Sequence, residues 1–72
     1  MNRIIVFDNK QIVIDEALAS EFEQATCEKI DTCAESYLNM LRRKHPTDSI
    51  SELAIRLTEM LREEVSIYKG EA

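Results

Sequence analysis

Apolar and polar positions change their rhythm twice along this chain, and each change marks an element. Ile4-Ile5-Val6-Phe7 and Ile12-Val13-Ile14 are β-branched or aromatic and flank the polar Asp8-Asn9-Lys10-Gln11. Such a pair of short runs around a polar tetrad predicts a β-hairpin over about 3–14. Asn9 tolerates positive φ, so a two-residue Asn9-Lys10 turn is expected, pairing Phe7 with Ile12 and Ile5 with Ile14. Those four share one face. Ile4, Val6 and Val13 share the other, so both faces of the ribbon are apolar.

From Asp15 the period lengthens. Leu18, Phe22, Ile30, Cys33, Tyr37, Met40 and Leu41 recur at helical spacing, while Glu21, Gln24, Glu28, Asp31 and Glu35 form a polar row on another side. Asp15-Glu16 at the start and Arg42-Arg43-Lys44 at the end complement a helix dipole. One register serving both rows predicts a single helix over about 15–45, about 45 Å long. Thr32-Cys33-Ala34-Glu35 matches a capping box and marks the alternative, a break near Asp31.

His45-Pro46 ends that helix, because the residue before proline avoids the α region. Thr47, Asp48 or Ser49 can cap another over about 48–69, with Ser49 and Glu52 spaced as a capping box. Its apolar stripe runs through Ile50, Leu53, Ala54, Leu57, Leu61, Val65 and Tyr68, with Met60 at its margin, and Gly70 closes it. The expected fold is therefore α+β and mostly helical: a hairpin, a long helix and a shorter antiparallel helix (ββαα) in one domain over 1–72.

Length sharpens the picture. A 72-residue chain buries only about 60% of the surface its unfolded form exposes, so its core is marginal. A second helix of about 30 Å cannot cover a partner of about 45 Å, and one hairpin face also lacks cover. A homodimer is the expected remedy, through paired hairpins or packed long helices. Ile4, Val6, Val13, Ile30, Tyr37 and Met40 are the expected dimer or partner interface.

Chemistry-bearing residues are few. Cys27 and Cys33 lie about 9 Å apart along a helix, too far for a disulfide unless the helix breaks between them. Reduced thiols, and hence a cytoplasmic setting, are expected. His45 is the single histidine, no CxxC or HxxxH spacing exists, and Gly70 is the single glycine. Metal ligation, phosphate-loop binding and nucleophilic catalysis thus lack their ingredients, and neither enzyme activity nor a cofactor is expected. The first apolar run is too short for a signal peptide or a membrane span.

A net charge of −5 disfavours direct contact with DNA or an anionic membrane. Asp48-Ser49-Ile50 resembles the acyl carrier attachment site, but only one helix follows where that family needs more, and a helix cap accounts for the serine. Ser51-Glu52-Leu53-Ala54 with Leu57 resembles the first helix of a helix-turn-helix, but Thr58-Glu59-Met60-Leu61 continues the helix where a turn belongs. Gln11 to Asp15 followed by helices resembles the order of ribbon-helix-helix DNA binders. The chain departs from that pattern in its extra upstream strand, and it offers only Lys10 and Gln11 as polar readers. The expected function is a non-enzymatic regulator or inhibitor that dimerises and occludes a partner protein, of the phage antirepressor, antitoxin or anti-defence type. The alternative is a dimeric ribbon-helix-helix-like repressor, and the third is an assembly subunit. Glu21, Glu28, Asp31 and Glu35 form the candidate acidic contact surface.

Overall fold

The computed structural model describes residues 1–70, in which a two-stranded antiparallel hairpin is followed by three helices. The elements are β1 (Asn2–Phe7), β2 (Lys10–Asp15), α1 (Glu16–Thr26), α2 (Ile30–Lys44) and α3 (Ile50–Tyr68). The order is thus ββααα, within the expected α+β class but with one more helix.

The hairpin turns one residue earlier than its expected register. Phe7 pairs with Lys10, Ile5 with Ile12 and Arg3 with Ile14, so Asp8 and Asn9 form the turn. Both take positive φ, 55° and 60°, as a type I′ turn demands of its two central residues. Asp and Asn accept that conformation at small cost, whereas the Asn9-Lys10 alternative would force it on lysine. The pairing moves by two residues in sum, so the division of faces survives. Ile5, Phe7, Ile12 and Ile14 are buried on one side, and Ile4, Val6 and Val13 are exposed on the other.

The expected long helix does not form. Thr26 ends α1, Cys27 takes a left-handed conformation at φ 60°, ψ 27°, and α2 starts at Ile30. The break lies before Asp31, and Thr32 sits inside α2 instead of capping it. Packing explains the corner. A straight helix of about 45 Å would overrun a molecule whose longest extent is 33 Å, leaving half its stripe in water. Folding at Cys27 sets α1 and α2 on the same hairpin, and both Phe22 and Ile30 become fully buried.

The break also resets which side of α2 faces inward. Ile30, Ala34, Leu38 and Leu41 are its buried residues, whereas Cys33 and Tyr37 pack at the margin of the core and Met40 is half-buried. The stripe of α3 follows expectation from Leu53 through Val65, but Tyr68 is exposed. Ser49 caps α3 with both bonds of a capping box: its hydroxyl accepts the Glu52 N–H at 3.2 Å, and its own N–H donates to Glu52 at 2.9 Å.

The result has two layers. α2 packs against β1, α3 against β2, and α1 against both strands and α3. All three helices cover the inner side of the hairpin. Arg42 fastens the far end of α2 to the hairpin turn, with its guanidinium 4.8 Å over the Phe7 ring and 2.8 Å from the Asp8 carboxylate.

Candidate interaction site

Among the described residues, the outer hairpin face is the place where exposed aliphatic side chains cluster on one surface. Ile4, Val6 and Val13 are 46%, 68% and 51% exposed, and Ile4 lies directly opposite Val13. Strand pleating puts all three on the side away from the helices. Gln11 and Asn2 flank them on that face. The nearest charge on the face is Asp15, and its carboxylate is turned to accept the Leu18 N–H at 3.3 Å, capping α1. A neutral patch therefore sits on a chain of net charge −5.

Both strands are edges. In a hairpin closed by a two-residue turn, the Phe7–Lys10, Ile5–Ile12 and Arg3–Ile14 pairs exchange the ladder hydrogen bonds. The backbone groups of Asn2, Ile4 and Val6 then point outward along β1, and those of Gln11 and Val13 along β2. Among the described residues these outward groups have no other hydrogen-bond partner. Open face and open edge thus belong to the same residues.

The other expected interface residues separate. Ile30 is fully buried within the chain and has no surface to offer. Tyr37 is half-buried against the core, and Met40 is half-buried on the same helix, α2. Burial, and next the charge of Glu64 on α3, push the Tyr37 phenol pKa up. Ile55, Ile67 and Tyr68 are also exposed, scattered along α3 with no shared stripe.

The acidic row is divided by the Cys27 corner. Glu21, on α1, pairs with Lys69. Glu28 lies in the corner and accepts the Cys33 thiol at 3.4 Å. Asp31 and Glu35 remain exposed on α2. The four carboxylates therefore do not form the continuous stripe that a single helix would present.

At the start of the hairpin, Arg3 donates to Glu16 at 2.9 and 3.0 Å and to Glu23 at 3.3 and 3.4 Å. These bonds hold the guanidinium charged and keep Glu16 below the ordinary carboxylate range. Glu23 is lowered first by the Ile30 backbone N–H and then by Arg3. Sequence reasoning missed this cluster, because its members are brought together only when α1 packs back on β1 of the hairpin.

Burial, and next the hydrogen bond to Glu28, push the Cys33 thiol up, which keeps it protonated and weakly nucleophilic. No group of His, Cys, Asp and Glu suited to hold a metal ion occurs among the described residues. Lys10 and Gln11, the candidate DNA readers, fall on opposite faces of the sheet. No helix among the described residues is long and apolar enough to cross a membrane.

Fold and surface thus define a small hairpin-and-helices domain with an apolar outer sheet face. No protein family, curated protein or solved structure matches the chain.

Proposed function

We propose that the chain is a non-enzymatic protein-interaction module, a small regulator or inhibitor that occludes a partner protein with the outer face of its hairpin. The observation that carries this reading is the cluster of Ile4, Val6 and Val13, about half exposed or more, whose nearest charge on that face, Asp15, is engaged in capping α1. Apolar side chains gathered on one face, with open strand edges beside them, favour docking on a protein surface over docking on a phosphate backbone. Lys10 and Gln11 diverge, which removes the adjacent pair of readers that a ribbon entering a DNA groove would need.

The test replaces Ile4, Val6 and Val13 together by Thr, which keeps β-branching while adding a hydroxyl. The expected outcome is an unchanged circular dichroism spectrum and loss of the protein that co-purifies with the unmodified chain from its native cells. Retention of that protein by a folded triple variant would sink the reading. Salt-sensitive binding to duplex DNA would move the function to the ribbon-helix-helix-like repressor class.

A further inference from the structure

We infer that the outer edge of β1 receives a second copy of this chain, in antiparallel register with Ile4 on the two-fold axis. This rests on the interaction-module reading only for the use made of the joined surface.

The register follows from the edge itself. Asn2, Ile4 and Val6 carry the outward backbone groups of β1, and Asp8 beyond them is bent into the turn at φ 55°. In an antiparallel ladder, residues facing one another must both be bonding or both be non-bonding at that edge. Centring on Ile4 is the arrangement that engages all three, pairing Ile4 with Ile4 of the second copy and Asn2 with Val6. Centring on Arg3 would set two guanidiniums opposite one another. Centring on Ile5 would spend one bonding pair on Asp8, whose backbone has left the strand.

Charge selects the occupant. Asn2, Ile4 and Val6 are uncharged, so a copy of an acidic chain meets no like charge at this edge. The helix beneath the edge is matched as well. α2 packs on β1 and runs in the same direction. Its first residue, Ile30, is held by Glu23, which also holds Arg3 at the start of β1. Near its end, Arg42 reaches Phe7 and Asp8 at the finish of β1. A two-fold that makes the strands antiparallel therefore makes the two α2 helices antiparallel. At 3.6 residues per turn, Asp31, Glu35 and Arg42 lie within about 40° of one another round the helix. The acidic end of one α2 then lies beside the Arg42 end of the other, a complementary arrangement.

Area argues for the edge over simple face-to-face stacking. Three aliphatic side chains fall well short of the roughly 800 Å² per partner of a standard interface. Edge pairing adds backbone hydrogen bonds and the α2 flanks. It also leaves the outer face open. In the joined sheet β2-β1-β1-β2, the Ile4, Val6 and Val13 clusters of both copies merge into one apolar platform, about twice the area that either offers alone.

Cysteine cross-linking in a Cys27→Ala, Cys33→Ala background reads the register. Under mild oxidation Ile4→Cys is expected to form a disulfide-linked dimer readily, and Val13→Cys is not. Preferential linkage at Val13 would place the contact on β2 and overturn the inference. Sedimentation equilibrium of the unsubstituted chain gives a second reading. Ile4→Pro removes only an outward N–H, which β2 does not use, so helicity is expected to persist while dimerisation weakens about thirtyfold or more. Asp31→Lys with Glu35→Lys is expected to weaken it about tenfold at low salt, less as salt rises. A chain that stays monomeric from micromolar to millimolar concentration overturns the proposal. If that monomer still captures its protein partner through the outer face, the interaction-module reading stands without it.

Discussion

The carboxylate of Glu23 accepts the backbone N–H of Ile30 at 2.9 Å across the corner between α1 and α2. The residue at the N-cap of α2 is Lys29, which offers no side-chain acceptor. Glu23 therefore does from the preceding helix what an N-cap side chain ordinarily does from within. Its negative charge also sits at the positive end of the α2 dipole. Glu23→Ala is expected to destabilise the fold by about 1 kcal/mol. Glu23→Gln, which keeps an acceptor but loses the charge, should cost less. Urea unfolding followed by circular dichroism measures both, and equal costs for Ala and Gln would show that the capping bond contributes nothing.

Acid should loosen the same corner. Glu16 and Glu23 are both held below the ordinary carboxylate range, Glu16 mainly by Arg3 and Glu23 mainly by the Ile30 N–H. Groups whose folded pKa is depressed bind fewer protons when folded. Their contribution is therefore present above the unfolded value of about 4.3 and is lost as pH falls through the lower folded values. Unfolding free energy is expected to decline as pH drops below that value. Arg3→Met should make the decline shallower, because it removes the leading cause for Glu16 and the second for Glu23. An unaltered acid limb in Arg3→Met would contradict the assignment.

Cys27 holds φ 60° at the end of α1, in the left-handed region where a Cβ costs about 1 kcal/mol or more. Glycine is the residue most often found at such helix ends. Cys27→Gly is expected to raise stability, by less than that figure because glycine also gains freedom in the unfolded chain. A chemical-denaturation midpoint that shifts to higher denaturant with unchanged slope is the expected observation.

Much of the fold was legible because local signals and packing agree there. Ile5, Phe7, Ile12 and Ile14 alternate and all turn inward. Ser49 and Glu52 have capping-box spacing and form the box. The Cys27 corner was not legible, since its local sequence, Thr26-Cys27-Glu28-Lys29, carries neither glycine nor proline. Burial of Phe22 and Ile30 on one hairpin outweighs the residue preferences there, and propensity yields to such tertiary terms. The acidic row was misread for the same reason, as one register was carried through a break. Within the candidate site, the shared face of Ile4, Val6 and Val13 was legible from strand period alone. The Arg3, Glu16 and Glu23 cluster was not, because these residues, distant in sequence, meet only when α1 packs against β1.

The hairpin turn offers the last test. Asp8 and Asn9 both occupy positive φ, but they are not equally replaceable. The Asp8 carboxylate pairs with Arg42 at 2.8 Å, and Arg42 in turn covers Phe7. Asn9 has no side-chain hydrogen bond among the described residues. Asn9→Gly should therefore stabilise the turn or leave it neutral, since Asp-Gly is a favoured type I′ pair. Asp8→Gly relieves the backbone equally but removes the anchor of Arg42. Exposed ion pairs contribute up to about 1 kcal/mol, and an exposed cation over a ring adds a similar amount when held in place. Asp8→Gly is thus expected to be the less stable of the two variants, and the gap between them should narrow when Arg42 is replaced by Gln. A double-mutant cycle on Asp8 and Arg42, read from thermal unfolding, measures that coupling. Additive effects would mean that α2 is not fastened to the hairpin through this pair.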